Sequence, residues 1–109
     1  MANKALAIGM PAQIDAAVSA PAAGNIFTFP PNPPGGDFSC TFQAVGTVTT
    51  LSADLQVSLD GGTTFSTLLT AQLTNAAPTK TITNLVSGAL YKWNYTTASG
   101  SINLWGCRN

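Results

Sequence analysis

The sequence has no histidine and no glutamate, a single arginine (Arg108) and only two cysteines in 109 residues. Charged residues make up 7% of the chain and the formal net charge is zero. That is about a quarter of the charge a soluble domain usually carries. Without a Lys/Arg patch there is nothing to displace counterions from a nucleic acid, nor to bind an anionic membrane. Cys40 and Cys107 have no Cys or His neighbour at metal-ligand spacing, which excludes a zinc site. The four carboxylates, Asp15, Asp37, Asp54 and Asp60, are scattered, so the paired carboxylates of glycoside hydrolysis are missing. No catalytic residue, cofactor site or metal site is expected.

Long apolar runs are missing too. Nothing approaches the ~18 residues of a membrane span. The run Leu6-Ala-Ile-Gly-Met10 after Lys4 is broken by Pro11, Gln13 and Asp15. It is too short for the apolar region of a signal peptide. The small-residue site at Ala20 is followed by Pro21, which disfavours cleavage. Synthesis in the cytosol without export is expected, and with it two buried thiols rather than a disulfide.

What the chain has is β pattern. From Phe38 onward apolar residues alternate with Ser, Thr, Gln and Asn. The period of two predicts strands at 38–44, 51–59, 64–73, 79–85, 90–97 and 102–105, with another at 26–29 stopped by Pro30. Gly46 with residues 47–50, and the stretch 98–101, read as turns between them. About seven short strands at these spacings predict an all-β antiparallel sandwich over residues 38–109. Residues 1–37 differ: they are Ala-rich with scattered Leu6, Ile8, Met10, Ile14 and Val18. They read as an N-terminal arm, with two turns of helix at 11–19 and a stiff Pro-rich linker at 30–36.

Two stretches are more specific. SLDGGTTF at 58–65 fits the Ser-x-Asp-x-Gly-x-Thr-aromatic pattern of the Asp-box, the hairpin repeated in sialidases and related propellers. Asp60, Gly61 and Gly62 supply a tight turn that Asp60 can cap, with Phe65 beneath. A single copy cannot build a propeller, so the motif predicts a hairpin and no hydrolase. In TITNLVSGALYKW at 81–93, Leu85, Gly88 and Tyr91 stand at the spacing Leu-x-x-Gly-x-x-Tyr. That resembles the tyrosine corner of fibronectin type III and other immunoglobulin-like sandwiches. Ser87 stands where that pattern usually has proline. Tyr91, Trp93 and Tyr95 would share one face, with Trp93 filling the core.

Together the hairpin at 58–65 and the segment 81–106, with TIT, the corner and SGSI in order, resemble the small immunoglobulin-like domains of tailed-phage virion proteins. The resemblance covers about two-thirds of the chain. It implies a non-enzymatic capsid decoration (cement) protein on the virion surface, made in the host cytoplasm. Its partners would be the major capsid protein and sister copies, in a homo-oligomer or singly, with no nucleic acid and no membrane. The neutral surface is what such a covered protein would show. Ile8, Met10, Ile14 and Val18 are then the expected partner contacts, working by burial and not by charge. The alternative is a carbohydrate-binding or adhesion module of a fibre, a tail or a fibronectin-like protein. It would place Trp93 or Trp105 in an exposed groove.

Overall fold

A computed structural model describes residues 4–29 and 38–109. The expected linker at 30–36 lies outside the described residues. Eight strands follow one another: β1 (Lys4–Ala5), β2 (Ala12–Val18), β3 (Ala22–Ala23), β4 (Phe27–Thr28), β5 (Phe38–Ser58), β6 (Ser66–Thr74), β7 (Thr79–Leu85) and β8 (Leu90–Arg108). They form one mixed sheet that does not close on itself. The pairing is antiparallel except between β1 and β4.

The sheet is organised by its two long strands. β5 (21 residues) and β8 (19 residues) pair antiparallel from Cys40↔Arg108 to Ser58↔Leu90. Different strands flank this ribbon at its two ends. β7 and β2 border the end that contains Phe42 and Gly106; β6, β3 and β4 border the end that contains Leu55 and Trp93. Phe42 and Trp93 nevertheless meet edge to face, with ring centroids 5.1 Å apart. Trp93 pairs with Leu55, thirteen positions along β5 from Phe42. A straight strand would hold those positions roughly 43 Å apart. The ribbon therefore folds over, and its two ends face a shared core.

The fold-over lies where the sequence suggests turns. The stretches 46–50 and 98–101 are bends inside continuous strands and do not end them. Gly46 (φ +97°) and Gly100 (φ +102°) sit there, next to a register shift between Val48 and Thr50. A Cβ on Gly46 would stand 2.5 Å from the Ser101 carbonyl oxygen, and one on Gly100 would clash with that of Thr47. Only glycine lets the two backbones approach so closely with that dihedral.

The helix expected at 11–19 is not formed. β2 occupies that segment and pairs with β8 from Ala12↔Gly106 to Val18↔Ile102. Two isolated helical turns are marginal in water, whereas the edge of β8 offers a ready ladder. The pairing is irregular, with Ala17 at φ +51°. The Asn103 side chain fills the irregularity, because its Oδ1 accepts from the Ala17 backbone N–H at 3.0 Å. β6 repeats the device: Ala71 also has φ +51°, and its N–H donates to Asp54 Oδ1 at 2.7 Å.

Residues 4–29 thus belong to the same sheet as the rest. Leu6, Ile14, Phe27 and Phe29 are buried with Phe42, Leu55, Tyr91, Trp93, Tyr95, Ile102 and Leu104 in one core. Phe27 stacks on Tyr91 at 5.9 Å and leans on Phe42 at 5.4 Å. A ladder that satisfies its backbone and a core that takes its apolar side chains offset the entropy of ordering this segment.

Candidate functional site

The expected partner contacts divide into two kinds. Ile14 is 4% exposed and belongs to this chain's own core, in a slot left by Gly106. Its Cδ1 lies 2.9 Å from where a Cβ on Gly106 would stand. Val18 is half-buried against the same core. Ile8 (49% exposed) and Met10 (65%) instead face water. They stand on a tight turn whose backbone is tied at several points. Gly9 N–H donates to the Arg108 carbonyl at 2.8 Å and Met10 N–H to that of Ala7 at 3.3 Å. Just before the turn, Leu6 N–H donates to the Thr28 carbonyl at 3.0 Å. Ile8 itself bridges to Arg108 in parallel register. Two apolar side chains are therefore held outward by a fixed backbone beside the end of β8.

Nothing in the sequence reading anticipated Asp15 as a buried group. Its carboxylate is 3% exposed, under the segment that carries β3. Oδ1 accepts from the Asn25 N–H at 2.7 Å and Oδ2 from the Tyr95 hydroxyl at 2.5 Å. Asn25 returns a bond from Nδ2 to the Ile14 carbonyl at 2.9 Å. Gly24 N–H donates to the Trp93 carbonyl at 2.7 Å. A Cβ at Gly24 would stand 2.6 Å from Asp15 Oδ2, so the chain passes as close to the carboxylate as a backbone can. Burial pushes the Asp15 carboxyl above the ordinary carboxylate range; the bonds from Asn25 and Tyr95 oppose that shift. The Tyr95 phenol is driven upward, by burial first and then by the neighbouring charge. The signal for this site was the polar Asp15 one position after buried Ile14, but only the irregular register of β2 turns both inward.

A hairpin joins β5 to β6, and a side-chain-to-backbone bond closes the segment between β7 and β8. In the hairpin between β5 and β6, Ser58 Oγ donates to Asp60 Oδ1 at 2.7 Å, and Thr64 N–H donates to the same oxygen at 2.9 Å. Gly62 N–H donates to Ser58 Oγ at 2.9 Å, with Gly61 and Gly62 both at positive φ. These bonds to its charged form hold the Asp60 carboxyl below the ordinary range. Phe65 is half-buried, with the Lys92 ammonium 4.3 Å from its ring centre. At the corner, Leu85 is buried, Gly88 has φ +86°, and the buried Tyr91 hydroxyl accepts from the Val86 N–H at 3.1 Å. Tyr91, Trp93 and Tyr95 are all buried, so this aromatic stripe is core and offers no surface platform. Trp105 is 39% exposed on the outer face of β8.

Cys40 and Cys107 are free thiols. Cys40 pairs with Arg108 and Cys107 with Thr41, so successive side chains alternate and the two sulfurs lie on opposite faces. Burial pushes the Cys40 thiol up to about 12, which keeps it protonated and unreactive. Among the described residues no group of three or more Cys and Asp stands close enough to hold a metal ion. Open clefts are present among the described residues. One of about 330 Å³ lies beside Asp15, Ser19, Ala23, Asn25 and Tyr95. Another of about 420 Å³ lies between β6 and β7, lined by Leu68, Gln72, Lys80 and Ile82. Compared with known protein families, curated proteins and solved structures, the chain matches none.

Proposed function

We propose that this chain is a non-enzymatic structural protein of a virion that decorates the capsid, docking through Ile8 and Met10. The observation that carries the reading is their exposure on a turn fixed by the chain's own sheet. The turn meets a partner already ordered, so binding does not have to supply that entropy. With 7% charged residues there is little for electrostatic docking to use. Removing each of these side chains from water is worth roughly 1–2 kcal/mol, a weak contact that gains from many copies on one shell.

The finer architecture in this reading is an immunoglobulin-like sandwich. The ends of the folded-over ribbon act as its two layers, and the bond from Val86 to the Tyr91 hydroxyl supports a tyrosine corner between them. The segment 4–29 is then an integral part of the sandwich that carries the docking turn, and the capsid protein and sister copies are its partners.

The test is cosedimentation with undecorated capsids over a range of salt. An Ile8→Ser/Met10→Ser variant should bind about tenfold or more weakly with unchanged thermal stability. The intact protein's binding should change little between low and high salt. Undiminished binding by the variant would refute the docking turn, and collapse at modest salt would refute the apolar mechanism.

A further inference from the structure

One register row crosses the outward face of the sheet. It runs Thr79–Gln43–Trp105–Gln13, a residue each from β7, β5, β8 and β2. At the usual strand spacing four positions span roughly 14 Å. Trp105 lies inside the row, partly exposed, with a glutamine on each side. Gln43 and Thr79 are exposed and Gln13 is half-buried. Gln13 is held in place, since its Nε2 donates to Asn103 Oδ1 at 3.2 Å. The Gln43 amide makes no side-chain hydrogen bond among the described residues, which leaves its donors and acceptor open. Thr41 and Cys107, paired on the next row, continue the same face. Every one of these side chains is uncharged.

We propose that this row binds a neutral oligosaccharide. A pyranose ring offers an apolar C–H face with a rim of hydroxyls that both donate and accept. An indole can take the face, while flanking primary amides, which also donate and accept, can take the rim. The chemistry of the row argues against other occupants. Phosphate, nucleic acid and anionic lipid would need cations, and the row has none. An apolar protein surface would strip water from the Gln43 amide without replacing its hydrogen bonds, which costs free energy. A polyhydroxylated, uncharged ligand restores those bonds. The face is open and not enclosed, so the expected affinity is weak, with a Kd on the order of 1 mM. The row uses neither of the docking-turn side chains, Ile8 and Met10, and either proposal can fail without the other.

The test is an NMR titration of the full chain with neutral tri- and tetrasaccharides of glucose, galactose, mannose and N-acetylglucosamine. The two tryptophans give two indole N–H signals, and Trp93, fully buried, serves as the internal control. The Trp105 indole and Gln43 amide signals should shift saturably with at least one of these sugars while the Trp93 signal stays fixed. The shifts should not depend on salt. Trp105→Ala should weaken binding about tenfold or more, Trp105→Tyr less, and Gln43→Ala about fivefold. If Trp105→Ala does not fold, the other two variants decide. Absence of shifts with all the neutral sugars, binding of sulfated or sialylated sugars only, or full binding by the variants would overturn the proposal. Loss of capsid binding in Trp105→Ala without any sugar-induced shift would assign the face to a protein partner and overturn it equally.

Discussion

Asp15 is a carboxyl buried beneath the chain, and its effect on stability has a definite sign. Burial raises its folded-state pKa above the value in the unfolded chain. Between those values the folded protein holds more protons than the unfolded chain, so stability falls as pH rises through the window. The contribution is fully present below the ordinary carboxylate range, at about pH 4, and is lost above it. Asp60 acts in the opposite sense, because its pKa is lowered on folding and its contribution disappears as pH falls. Asp15→Asn isolates the first effect. Its Oδ1 can keep the Asn25 bond, and its Nδ2 can donate to the Tyr95 oxygen. Urea denaturation from pH 3 to 7 should show the intact protein losing stability relative to Asp15→Asn as pH rises; parallel curves would contradict the assignment. At the corner, Tyr91→Phe leaves the Val86 N–H without its acceptor and should cost about 1 kcal/mol in the same assay. A change near zero would mean that water serves that N–H equally well.

Among the elements, the strands from Phe38 onward were legible and the bends within the two long ones were not. The alternation through 38–44 and 51–59 appears as β5, and that through 90–97 and 102–105 as β8. Gly46 and the Ser-Gly-Ser around Gly100 carry the residue signals of a turn, and period-two reasoning has no way to separate a turn from a bend in a paired ribbon. The difference is made by the partner strand, since the pairs Gly46↔Ile102 and Val48↔Gly100 keep both backbones in one ladder through the fold-over. Ala12–Val18 was missed for a related reason. Its alanines favour helix, and the edge that overrides them lies 84–94 residues away. The hairpin was legible because local chemistry sets it, through Asp60. The Asp15 cluster was not, because a register irregularity in β2 creates it. The bend makes a sharp prediction. Gly46→Ala and Gly100→Ala should each destabilise by at least about 2 kcal/mol, from dihedral strain plus the clash of Cβ with a facing carbonyl. Gly61→Ala, in the exposed hairpin where a Cβ meets nothing within 4 Å, should cost less. Equal losses at the three sites would mean that close approach at the bend is not what requires glycine.

At the scale of the whole molecule, residues 4–29 and 38–109 share one sheet and one core, and the exposed apolar turn at Ile8–Met10 is rigid because of it. An arm that folds only on its partner would have to supply about 1–2 kcal/mol per residue at the moment of binding. Here the ladder to β8 and the burial of Leu6, Ile14, Phe27 and Phe29 meet that cost within the monomer. The low charge and the exposed Trp105 face are then surface properties of a folded unit. Amide hydrogen exchange on the isolated chain tests this most directly. The N–H groups of Leu6, Gly24 and Asn25, whose acceptors are the carbonyls of Thr28 and Trp93 and the Asp15 carboxylate, should exchange with protection comparable to the β5–β8 ladder. Exchange of these amides at unfolded-chain rates, with β5 and β8 still protected, would show an independent arm and contradict the account.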